Sequence, residues 1–154
     1  AGAVRASVLA GGGRRAPEDF RAEVSHVAAR RAYEQAGVEP KDVDVAEVHD
    51  ATALGEIQQT ENLMLCEFGQ GGPFAESGAT RLGGRVPVNP SGGLECKGHP
   101  IGATGLAQVY ELVMQLRGQA GARQVPGARL GIAENGGGLI GVESAAVCIT
   151  VLER

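Results

Sequence analysis

Three places along the chain bring proton-carrying side chains to positions where they could do chemistry. The stretch VDVAEVHD, residues 43–50, ends on His49 and Asp50. The stretch NPSGGLECKGHPIGATGLAQVYELVMQLRG, residues 89–118, sets Gly98-His99-Pro100 just ahead of a run with almost no charge. ARLGIAEN, residues 128–135, ends on Glu134 and Asn135. An imidazole titrates near neutrality and can hold or release a proton at working pH. A carboxyl taken out of water can be lifted toward the same range. Gly98 lets the backbone approach closely at the histidine, Pro100 fixes the turn that follows, and a helix N-terminus behind His99 favours its neutral form. Asn89 can anchor the glycine loop or touch a ligand. Cys96, three residues before His99, reads either as a reactive thiol or as a small buried side chain. The cysteines at 66, 96 and 148 have neither CxxC nor zinc spacing, so no metal site and no disulfide framework is expected.

These residues need elements that carry them to one place. VRASVL, residues 4–9, alternates like a strand. PEDFRAEVSHVAARRAYEQAG, residues 17–37, has Pro at the first helical position, apolar Phe20, Val24 and Val27 at helical spacing, and Gly37 as a stop, which predicts an amphipathic helix. VDVAEVHD reads as a second strand, and TALGEIQQTENLMLCEF, residues 52–68, as a second helix. A glycine-rich excursion fills 69–85. RVPVN is a short third strand, and the glycine loop and apolar helix follow. ARLGIAEN and ESAAVCITVL close the chain as two strands joined by a glycine turn. The order βαβαβαββ predicts an α/β fold: a mixed five-stranded sheet, mostly parallel with one antiparallel strand, carrying helices on both faces. In such sheets chemistry collects beyond the carboxyl ends of the strands. His49, His99 and Glu134 all fall at or just after such ends.

The totals narrow the function. With 154 residues and 43% apolar composition, the chain fits one domain, residues 1–154, with a core of its own. A net charge of −4 and scattered Lys and Arg leave no basic stripe for phosphates, so nucleic acid is not an expected partner. No apolar run approaches the ~20 residues that span a bilayer, and no charged n-region precedes an h-region, so the reading is cytoplasmic with no membrane span. The chain opens without Met and resembles a piece of something longer. Two Tyr, three Phe and no Trp beside 25 Gly suggest closely packed backbones and few large side-chain plugs.

From Ile101 to Gln115 the only formal charge is Glu111. A helix without a polar face is buried on both sides. One sheet covers one side. The other needs either the chain's own loop at 69–85 or a second layer that the sequence does not contain.

HDATALGEI, NPSGGLECKGHPIGATG and AENGGG, in this order and at these separations, resemble the C-terminal half of the thiolase superfamily, especially its sterol-carrier-type and bacterial acetyl-CoA acetyltransferase branches. The resemblance runs from Val4 to Glu153. It implies a thiolase-like half that packs face to face with a similar N-terminal half, the helix after Gly-His-Pro lying in the layer between them. It also implies acyl transfer by thiolysis or Claisen condensation, with a coenzyme A thioester as substrate and no bound cofactor. The nucleophilic cysteine belongs to the N-terminal half, and none of the three cysteines here matches its motif, so the chain alone is expected to be inactive. His99 matches the histidine that activates the nucleophile. His49 stands where many thiolases have Asn and the sterol-carrier-type branch has His, as a donor into an oxyanion hole. Glu134 stands where the family has a Cys or His acid/base. Gly136 matches the glycine whose backbone N–H joins an oxyanion hole. Asn89 and Gly98 are the candidate substrate contacts. Glu134 can replace the second acid/base or pair with Lys97 or an arginine. Expected partners are the N-terminal half, acyl-CoA and a further copy of the protein in a homo-oligomer such as a dimer. The alternatives are a retro-aldolase subunit of steroid side-chain degradation with an OB-fold partner and catalytic tyrosines, and a non-catalytic lipid-binding or scaffold half.

Overall fold

The computed structural model describes residues 2–154. In chain order its elements are β1 (Ala3–Gly11), α1 (Val24–Ala36), β2 (Val45–Glu47), α2 (Ala53–Asn62), α3 (Gly71–Glu76), α4 (Gly93–Lys97), α5 (Thr104–Leu116), β3 (Leu130–Gly137) and β4 (Ala146–Glu153). The strands lie in the order β1-β4-β3-β2. β4 runs antiparallel to both neighbours, and β2 is parallel to β3. Helices cover both faces, as the α/β reading expects.

The sheet has four strands and not five. Residues 85–89 make a single parallel bridge, Val88 to Ala46, flanked by Ala46 N–H to Pro87 O and Asn89 N–H to Ala46 O. Pro87 has no N–H to give a ladder, and Asn89 turns to φ 49°, which takes the chain out of the extended region. The pairing cannot propagate.

The first helix starts at Val24, seven residues after Pro17. Phe20–Ala22 form one 3-10 turn, and Phe20 is exposed. Glu23 caps α1 by accepting the N–H groups of Ser25 and His26, and Gly37 ends it at φ 68°. Buried Ala28, Ala29, Ala32 and Ala36 let α1 sit close against β1 and β4, where Val147, Ile149 and Val151 meet it beside Ile132 of β3. Each fully buried branched side chain contributes roughly 1.5–3 kcal/mol of transfer free energy. The second helix stops at Asn62, because Met64 takes φ 56°; Leu63 and Leu65 enter the core from the turn.

On the other face α5 packs on β2, β3 and β4, with Leu112 and Leu116 against Val45, Ala133 and Leu152. The same helix buries Gln108, which bonds to β3, and Glu111 and Gln115, which bond to residues 123–125, while Leu106 and Tyr110 are exposed. The excursion at 69–85 packs through α3 onto α2 and does not cover them. No helix among the described residues is long and apolar enough to cross a membrane.

Candidate active site

His49 follows β2, and His99 lies between α4 and α5. Their rings meet edge to face, centroids 4.8 Å apart at 83°. Both line an open cavity of about 990 Å³ together with Asn135, Gly136, Ile101 and Phe20. The loop that carries His99 is braced from β2 and the segment after it that carries His49. The Asp50 carboxylate accepts the Leu94 N–H at 2.7 Å, and Gly93 holds φ +60° where an added Cβ would fall 1.9 Å from Asp50 Oδ2. Only glycine fits there. A second brace comes from Glu47, whose carboxylate accepts the Ser91 N–H at 3.1 Å and its hydroxyl at 2.6 Å. Burial pushes the Glu47 carboxyl up to about 7. Burial lowers the pKa of His49, and the neighbouring His99 lowers it further, both favouring the neutral ring.

Glu134 is placed differently from the expectation. It is fully buried and does not line the cavity. Its Oε2 accepts the His49 backbone N–H at 3.0 Å and its Oε1 accepts the Ser25 hydroxyl at 3.3 Å. Burial raises the carboxyl to about 7, with Glu23 adding to the effect. The reason is strand parity: Glu134 shares a side of β3 with Ile132 and faces α1, and Asn135 takes the opposite side toward α5. Lys97 approaches Glu47 at 3.9 Å, so it is not the partner of Glu134. The side chain that β3 brings to the cavity is Asn135, whose Nδ2 lies 3.4 Å from His49 Nδ1 and donates to Gln108 Oε1 at 3.0 Å.

Gly136 lines the cavity, and an added Cβ would come within 2.8 Å of Ser144 Oγ. Asn89 and Gly98 do not line it. Asn89 is buried, accepting the Val48 N–H at 2.8 Å and donating to Glu56 of α2 at 2.9 Å, so its side chain ties the loop to its neighbours. Gly98 ends α4 at φ 81° and donates its N–H to Leu94 O. No cysteine lines the cavity: Cys96 is exposed on α4, and burial raises the Cys66 thiol to about 11, which keeps it inert. Thr104, whose hydroxyl lies 2.7 Å from His99 Nδ1, and Gln108 also belong to the site. Thr104 and Gln108 do not stand out in sequence, since an amide or hydroxyl beside a motif has no spacing signature, whereas Asn135 is visible there as the end of ARLGIAEN.

Residues 14–150 match the thiolase C-terminal domain-like family. The chain is 50% identical over 125 residues to sterol carrier protein 2 of Bos taurus, covering 81% of this chain and 22% of that protein. It is 52% identical over 122 residues to an acetyl-CoA acetyltransferase of Methanothermobacter thermautotrophicus, covering 79% of this chain and 31% of that one. The chain thus spans less than a third of either relative. Among solved structures it resembles an Ltp2-ChsH2(DUF35) aldolase with a TM-score of 0.78 and 21% identity, over 97% of this chain and 39% of that one, a likeness of fold.

Proposed function

The chain belongs to the thiolase C-terminal domain-like family, and on that premise we propose that it is the C-terminal catalytic half of an acyl-CoA thiolase, working with an N-terminal half that carries the cysteine nucleophile. The observation that carries the reading is the pair of imidazoles 4.8 Å apart at one cavity beyond the strand ends. His99 accepts the thiol proton, the thiolate adds to the acyl-CoA carbonyl, and the bond from that carbon to the coenzyme A sulfur breaks as the adduct collapses, the leaving thiolate taking the proton back from His99. His49 donates a hydrogen bond to the thioester oxygen as negative charge builds on it, and the Gly136 N–H is the second candidate donor. Glu134 acts beneath them by holding the His49 backbone. The exposed Leu106 and Tyr110, with an adjoining slot of about 370 Å³ lined by Val4, Val109, Val113 and Leu116, form the surface that the N-terminal half would cover.

The test is thiolysis of acetoacetyl-CoA by the chain alone and after mixing with a cysteine-bearing N-terminal half. Alone it should be inactive. The mixture should turn over, and His99→Ala should lower its rate on the order of 10²-fold or more. Robust turnover by the chain alone, or a mixture indifferent to His99→Ala, would overturn the reading. The aldolase alternative needs phenols at the site. Tyr33 is buried with its hydroxyl given to Leu63 O, and Tyr110 is on the outer side of α5, away from the cavity lining.

A further inference from the structure

We infer that the two cavity histidines are held in opposite tautomers, His49 with its proton on Nε2 and His99 with its proton on Nδ1, and that Asn135, Gln108 and Thr104 are the positioning residues that set them. The chain of polarity starts at a group that cannot reverse. A backbone carbonyl only accepts, and Glu134 O takes a hydrogen bond from Gln108 Nε2 at 2.8 Å. That fixes the Gln108 amide and leaves Oε1 as an acceptor. Asn135 Nδ2 donates to it at 3.0 Å; turning the Asn135 amide over would set two oxygens against each other. The second hydrogen of Nδ2 is then the one offered to His49 Nδ1 at 3.4 Å, so that nitrogen accepts and the ring proton sits on Nε2.

At the other ring the order is reversed. The Thr104 hydroxyl has one proton and gives it to Pro100 O at 3.3 Å. Its oxygen therefore accepts from His99 Nδ1 at 2.7 Å, which leaves His99 Nε2 as a bare lone pair. The consequence rests on the thiolase reading: one ring is a ready donor and its neighbour a ready base, with no proton to rearrange before reaction. The third histidine supplies a reference. His26 Nδ1 faces Asn62 O at 3.3 Å, which obliges it to carry its proton there.

The experiment is multiple-bond 1H–15N correlation on the 15N-labelled protein at about pH 8, where imidazoles are neutral. With three histidines in the chain the spectrum is simple. His26 and His99 should show the Nδ1–H pattern and His49 alone the Nε2–H pattern; His49 as Nδ1–H, or His99 as Nε2–H, overturns the inference. The wild-type spectrum decides this without any variant. Asn135→Asp replaces the donor at His49 Nδ1 by an acceptor and should move His49 to the Nδ1–H or doubly protonated pattern with His26 unchanged, whereas an unaltered His49 would overturn the role of Asn135. Thr104→Val should release His99 and leave His49 as it was; an unaltered His99 would remove Thr104 from the account. These spectra need no acyl-CoA and no second half. A failed thiolysis assay would leave the tautomers standing, and a wrong tautomer would leave the family-based reading standing.

Discussion

The two faces of one sheet are finished to different degrees. On the α1 face, alanines at 28, 29, 32 and 36 lie against branched strand residues, and the interface is closed. On the α5 face the helix turns Gln108, Glu111 and Gln115 inward, each satisfied by neighbours such as Arg123 and the Val125 N–H, and shows Leu106 and Tyr110 to the outside. On β1, Val4 and Leu9 are 66% and 76% exposed. A helix that ends its domain keeps its apolar side for the sheet. A helix placed between two layers can give the sheet a hydrogen-bonded polar side and keep apolar residues for what lies beyond. Each face also buries a carboxyl that is raised to about 7, Glu134 toward α1 and Glu47 toward α5.

The sharpest way to break the contrast is to hollow the closed face. Ile149→Ala should cost about 2–5 kcal/mol of stability in denaturant unfolding, because the surrounding strands and α1 cannot collapse into the space. A loss below ~1 kcal/mol would mean that this face is no better packed than the other.

Next in size is the pH dependence carried by the two buried carboxyls. The folded state raises each from 4.5 to about 7, so it binds the proton more tightly than the unfolded chain. Their contribution is fully present below pH 4.5 and is lost as pH rises to about 7. The slope is up to about 1.4 kcal/mol per pH unit for each group. Glu134→Gln and Glu47→Gln keep one acceptor and one donor, as the protonated acid does. Each should flatten its share of the decline in unfolding titrations between those limits. A double variant with the wild-type slope would show that the carboxyls titrate normally.

The smallest effect on the chain itself belongs to the open face. Leu106→Ala should change stability by no more than about 0.5 kcal/mol, yet it should weaken capture of an N-terminal half in sedimentation. A core-sized stability loss would mean that α5 is already covered.

The order of elements and the class of fold were readable because alternation, helical spacing and glycine stops are local properties. His49 and His99 could be picked out for the same reason, since a motif beside a strand end carries its own context. Three features were not local. The strand at 85–89 shrank to one bridge because Pro87 and the positive φ of Asn89 act on pairing with Ala46, far away in sequence. The helix expected from Pro17 began at Val24, where Glu23 supplies the cap and Glu143 takes the Val24 N–H from across the fold.

The third is the parity of β3, on which the role of Glu134 turns. A strand buried on both faces reads as apolar throughout, so composition does not say which neighbour faces which layer. The sequence by itself determined that a carboxyl and an amide would stand side by side at the end of this strand. Only the pairing of β3 between β2 and β4 decided that Glu134 goes under His49 and that Asn135 goes beside its ring, since one residue along a strand reverses the side from which a group can act.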